Sequence, residues 1–146
     1  MESSGPVRDT AKAMSQENVE VVRQAYAAFD RLDMEALLAL LSDDFELDIS
    51  AHPIPDFPNV GVGRDHVLRF FATYLAGFSD YNVSVADLVE TRDDRVVALL
   101  HDSARLGDAT VERDLAHIWT LDGGSAIRVQ VFDSHEGALE AAGLSE

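Results

Sequence analysis

Almost every residue from Tyr81 to Phe132 belongs to one of four strand-like stretches: Tyr81 to Glu90, Val96 to Leu106, Val111 to Leu121 and Ala126 to Phe132. They are separated by Arg92-Asp93-Asp94-Arg95, Gly107-Asp108-Ala109-Thr110 and Asp122-Gly123-Gly124. These separators are short and built from residues that accept turn conformations, so each joins its neighbours as a hairpin and the run predicts an antiparallel meander. Successive strand side chains point to opposite faces, which leaves one face of the sheet apolar and in need of cover.

The first half of the chain supplies that cover. Ser15 suits the cap of a helix in which Val19, Val22, Tyr26 and Phe29 make one apolar stripe. Residues 1–13 carry no such period and are expected to form an unstructured lead. Asp33 suits the cap of a second helix, with Met34, Leu37, Leu38 and Leu41 on one face and Ser42-Asp43-Asp44 as its end. The period then changes to two over Phe45, Leu47, Ile49 and Ala51, which predicts a strand. From His52 to Gly63 the segment holds three prolines and two glycines and is expected to be an irregular loop. A third helix, capped by Asp65 and ending near Gly77, carries Val67, Phe70, Phe71 and Tyr74 on one side. Ser134 opens a closing helix over 136–142, with Gly143 as a left-handed stop. Helices grouped before a meander make an α+β domain over 14–146, with the helices on one face of a curved sheet.

Composition removes several functions. The formal charge is −16, which argues against nucleic acid and anionic membranes as partners, since both require concentrated positive charge. With no cysteine there is no disulfide framework, thiol nucleophile or thiolate metal site. The five histidines show no ligand spacing, and no glycine-rich phosphate loop or serine-nucleophile elbow occurs, so neither metal nor cofactor is expected. No apolar run approaches the roughly 20 residues of a membrane helix, and a cytoplasmic protein is expected.

Several segments together resemble the nuclear transport factor 2-like superfamily, and within it the SnoaL-like branch that includes polyketide cyclases. The segments are 18–26 (NVEVVRQAY), 32–37 (LDMEAL), 40–45 (LLSDDF), 61–65 (GVGRD), 118–124 (IWTLDGG) and 136–144 (EGALEAAGL). The resemblance spans essentially all of 14–146. It implies a cone-shaped, curved antiparallel sheet, covered on one face by three N-terminal helices and closed by a short C-terminal one. It implies a pocket inside the cone, but the superfamily uses that pocket for isomerases, cyclases, dehydratases, epoxide hydrolases and non-catalytic binding modules, so the fold transfers little chemistry.

Strand alternation nominates the pocket wall. Arg113, Leu115, His117 and Trp119 share one row, and the resemblance to the steroid isomerases of the superfamily places His117 where those enzymes carry an oxyanion-stabilising acid. An even-numbered loop after Leu106 brings Asp102 inward beside Arg113, whereas a three-residue loop turns His101, Ser103 and Arg105 inward instead. On the last strand the row containing Val129 and Val131 continues to Asp133, so His117 and Asp133 are expected to share one cavity as a proton-transfer pair. Asp133 equally suits a helix cap, and Arg113 with Asp102 equally suits a rim ion pair. Tyr26, Ile49, Phe71 and Trp119 complete the pocket, with His52 at its mouth. The steroid isomerase base and tyrosine positions fall at Ile49 and Ala25, which argues against that activity, and the carboxylate–Arg–carboxylate pattern of the epoxide hydrolases requires a favourable register of Asp102, Arg113 and Asp133.

Three functions follow. One is a cofactor-independent cyclase or isomerase acting on a small hydrophobic carbonyl compound, with Asp133 as base and His117 as donor. Another is a protein that binds a small hydrophobic molecule without turnover. The third is a homodimerisation module using the outer row Glu112, Asp114, Ala116 and Ile118 with Arg128, Gln130 and Phe132.

Overall fold

The computed structural model describes residues 5–76, 78–91 and 93–144. Its elements are α1 (Gly5–Asp30), α2 (Met34–Ala39), β1 (Leu41–Ala51), β2 (Val60–Val62), α3 (Arg64–Leu75), β3 (Ser79–Glu90), β4 (Arg95–Leu106), β5 (Ala109–Asp122), β6 (Ser125–Phe132) and α4 (His135–Ala141). The six strands form one curved, unclosed sheet in the order β2-β1-β6-β5-β4-β3. The meander from β3 to β6 is antiparallel, as the turns require.

β4 and β5 pair from Leu106 with Ala109 through to Arg95 with Thr120. The loop is therefore the two residues Gly107-Asp108, with Gly107 at φ 65°, a backbone state that costs a residue without Cβ little. This even loop sets Asp102 opposite Arg113 and Ala98 opposite His117, which selects the first of the two registers open in the sequence.

Several expectations are corrected. β1 lies parallel to β6, so the sheet is mixed and not purely antiparallel. α1 begins at Gly5, and Ser15 lies within it, so residues 5–13 continue the helix where an unstructured lead was expected; residues 1–4 lie outside the described residues. α2 ends at Ala39, and Ser42-Asp43-Asp44 belongs to β1. The proline-rich segment carries the short strand β2 on the free edge of β1. Helix α3 starts two residues early, at Arg64 after Gly63. Asp65 stands in its first turn, where a carboxylate favours the positive end of the helix dipole but caps nothing. Its expected end near Gly77 lies outside the described residues. Asp33 and Ser134 do cap α2 and α4, accepting from the backbone N–H of Ala36 and Gly137.

The main core lies between the inner face of the sheet and α1, α2 and α3. Val22, Ala25, Ile49, Val96, Ala98 and Leu100 are essentially solvent-free there. A second, smaller core lies on the outer face, where Ala138 and Ala142 of the closing helix pack on Val97, Ala116 and Ile118. The outer row expected to meet a second copy is thus partly covered by the chain's own α4.

Gly61 shows how tightly α3 is seated. A Cβ there would run into the His66 imidazole, which is buried and lies tilted against Phe57 at 5.0 Å between ring centroids. Gly61→Ala is expected to lower stability by about 1–3 kcal/mol, because the buried ring would have to shift to admit the methyl group; a urea titration of the two proteins measures it.

Candidate functional site

An apolar cavity of about 100 Å³ lies between the sheet and the helices. Phe29 from α1, Leu37 from α2, Phe70, Phe71 and Tyr74 from α3, and Leu47, Val129 and Val131 from β1 and β6 line it, with Leu115, His117 and Trp119 from β5. Of the expected wall residues, Tyr26, Phe71, Leu115, Trp119, Val129 and Val131 are on it. Ile49 is not; its side chain is 1% exposed and packs within the core.

Three polar groups meet at one end of this space. The Trp119 indole Nε1–H donates to the Tyr26 hydroxyl at 2.8 Å, and the same hydroxyl lies 2.6 Å from His117 Nδ1. Indole can only donate, so the phenol oxygen accepts from it. Were Nδ1 also to donate, the phenol hydrogen would have no acceptor among the described residues. The network therefore assigns the phenol as donor to Nδ1, which places the imidazole proton on Nε2, a donor with no partner among the described residues on a side chain that lines the cavity. The Tyr26 and His117 rings stack at 5.8 Å between centroids, and Trp119 stands edge-on to Tyr26 at 5.7 Å.

Burial sets the charge of this group. Desolvation lowers the His117 pKa to about 4, outweighing the opposing attraction of Asp102, so the imidazole is neutral near pH 7. Burial likewise pushes the Tyr26 phenol up, against the smaller opposing effect of its bond from Trp119. The result is a neutral donor held in one tautomer.

A second network lies farther along the same inner row, where Asp102 of β4 pairs with Arg113 of β5. Asp102 is 2% exposed and takes two bonds from Arg113, Nε to Oδ1 at 3.2 Å and Nη2 to Oδ2 at 2.7 Å. The Tyr81 hydroxyl donates to Oδ2 at 2.7 Å, and Arg113 Nη2 also donates to the Tyr74 hydroxyl. Both phenols line the cavity, but each is already engaged.

Beyond this network lies a basin of about 430 Å³, bordered by His52, Arg113, Asp114, Leu115, Asp133, Ser134 and His135. Asp133 is exposed and sits here, not in the inner cavity, so the expected His117–Asp133 pair is not brought together. β6 ends at Phe132, and alternation carries no information once the chain has left the sheet. Nor does Asp133 cap α4, since Ser134 does. His52 stands at this mouth as expected, its pKa lowered by burial and by the Arg113 charge. Tyr74 was expected only as an apolar residue of the third helix and Tyr81 only as the start of a strand; their bonds to Arg113 and Asp102, and the bond from Tyr26 to His117, are what the sequence did not show. A buried indole N–H on the inner row is the signal that an acceptor had to stand nearby.

The model of the SnoaL-like domain matches residues 22–129, which hold both networks in full, while Asp133, Ser134 and His135 of the basin lie beyond it. The chain belongs to the SnoaL-like family. TerC co-crystallized with polyporic acid superposes on this SnoaL-like chain with a TM-score of 0.73 at 22% identity, covering 88% of this chain and 99% of TerC. An NTF2-like protein of unknown function from Burkholderia pseudomallei gives 0.70 at 20% identity, covering 86% and 97%. A candidate polyketide cyclase from Xanthomonas campestris pv. campestris gives 0.63 at 21%, covering 82% and 91%. At these identities the likeness is one of fold. No curated protein matches the chain. Among the described residues no helix is long and apolar enough to cross a membrane.

Proposed function

We propose that this SnoaL-like protein binds a small, neutral, apolar molecule carrying one hydrogen-bond-accepting oxygen, of the ketone class, with that oxygen on His117 Nε2. The observation that carries this reading is the contrast within the cavity wall. The surface is apolar, two of its phenols are committed to Asp102 and Arg113, and the imidazole donor is locked by Tyr26. A cavity of about 100 Å³ is below the roughly 300–1,000 Å³ of pockets for drug-sized ligands, so a single ring or a short chain is what it accommodates.

Cyclohexanone and methylcyclohexane, titrated by protein NMR, test the assignment. The ketone is expected to bind more tightly than the hydrocarbon, and His117→Ala to remove about tenfold of its affinity, the value of one hydrogen bond of about 1.4 kcal/mol. Equal affinity of parent and variant for cyclohexanone overturns the role of His117.

Proton transfer next to the carbonyl is a second reading, favoured by the neutral donor, which is placed to stabilise a developing oxyanion. It requires a base, and no carboxylate is among the described residues lining the inner cavity. Homodimerisation through the outer face stays a proposal for the part that α4 leaves open, where Arg128 bonds Glu46 and Asp48 at 2.9 Å each.

A further inference from the structure

The inner cavity and the mouth basin share one lining residue, Leu115. It is 5% exposed and stands between Arg113, which borders the basin, and His117, which borders the cavity, on one row of β5. Alternate residues of a strand are about 6.8 Å apart, so the row places His117 and Arg113 about 14 Å from each other with Leu115 midway.

We propose that the two spaces are halves of one site divided by Leu115, and that the site takes an elongated neutral molecule with an acceptor oxygen at each end, one on His117 and one on Arg113. This rests on the reading of His117 given above and extends it to the class of ligand.

The charges around the basin select a neutral oxygen. Asp102 already balances the Arg113 guanidinium through two bonds, so little net positive charge is left for an anion. Asp114 and Asp133 border the same basin and repel one. A cation would meet the guanidinium itself. What remains is hydrogen bonding: Nη1 of Arg113 makes no bond among the described residues, and the side chain is 33% exposed and borders the basin. A hydroxyl or carbonyl oxygen suits that donor. The volumes agree, since about 100 Å³ holds the buried end of such a molecule and about 430 Å³ leaves room for its solvated end.

The test compares cyclohexanone, undecan-2-one and 11-hydroxyundecan-2-one as probes, with a chain long enough to reach from His117 to Arg113 on the strand spacing. With the parent protein the terminal hydroxyl is expected to improve affinity at least fivefold over undecan-2-one, and to move the Arg113 Nε resonance, which cyclohexanone leaves in place. Leu115→Phe is expected to lower the ratio of hydroxyketone to cyclohexanone affinity about tenfold, and Leu115→Ala to raise it. Because the parent protein supplies the first two readouts, the proposal can be overturned even if a variant fails to fold. His117-dependent binding of cyclohexanone with no gain from the hydroxyl and no response at Arg113 would show two separate spaces, and would leave the simpler reading intact. Failure of cyclohexanone itself to bind would remove both.

Discussion

Arg113→Ala is expected to cost about 3 kcal/mol of folding stability, the lower end of the 3–5 kcal/mol typical when one partner of a buried ion pair is removed. Asp102 is the reason. At 2% exposure its carboxylate depends on Arg113 for two hydrogen bonds and on Tyr81 for one, so the substitution leaves it buried with a single donor. The lower end applies because Arg113 borders the basin, and its removal opens a path for water toward the carboxylate. The double variant Arg113→Met with Asp102→Leu is expected to recover most of the loss, since apolar residues of similar volume need no partner there. Urea unfolding at pH 7 of the two single variants, the double variant and the parent gives the cycle. A loss below 1 kcal/mol in Arg113→Ala, or a double variant no better than the worse single one, would show that Asp102 is solvated without its partner.

This ion pair was legible in the sequence, and its neighbours were not, for reasons that differ residue by residue. Two-residue alternation with an even loop turns Asp102 inward near Arg113, but the turn residues are also compatible with a three-residue loop; the observed Gly107-Asp108 loop fixes the register and sets the two residues opposite each other. The inward placement of Leu115, His117 and Trp119 follows from the same row. By contrast, the parallel pairing of β1 with β6 joins segments some 80 residues apart, and nothing in either strand's alternation names its partner. The covering of Ala116 and Ile118 by α4 rests on small residues, Ala138 and Ala142, whose apolar signal is weak although their contact is close. Tyr26 presented itself as one member of a helical stripe with Val22 and Phe29. Only its distance of 2.6 Å from His117 shows that its hydroxyl fixes an imidazole tautomer. Asp133 failed as a partner because the argument for it extended a strand's period one residue past the strand's end.

Acidification provides the second large effect, and it reports directly on the partly buried imidazole. His117 has a folded pKa of about 4 against an ordinary value of 6.5, because burial penalises the imidazolium. Above pH 6.5 the ring is neutral in both folded and unfolded chains and contributes no pH dependence. As pH falls from 6.5 toward 4, the unfolded chain takes up a proton that the folded one refuses, so stability is lost across that window, and below about 4 the loss is complete. The gap between about 4 and 6.5 corresponds to about 3 kcal/mol. Carboxylates add their own acid dependence lower down. At Asp48 burial acts to raise the pKa, but hydrogen bonds from Ser50 and the charge of Arg128 outweigh it and hold the group below its ordinary 3.8, outside the histidine window. His117→Asn removes the titrating ring and keeps a polar group for Tyr26. Its unfolding free energy is expected to fall by about 3 kcal/mol less than that of the parent between pH 7 and pH 4. Parallel stability curves for the two proteins across that range would mean that water reaches the imidazole in the folded state and that Nε2 faces a wet cavity, which would remove the dry donor on which the assignment of the cavity depends.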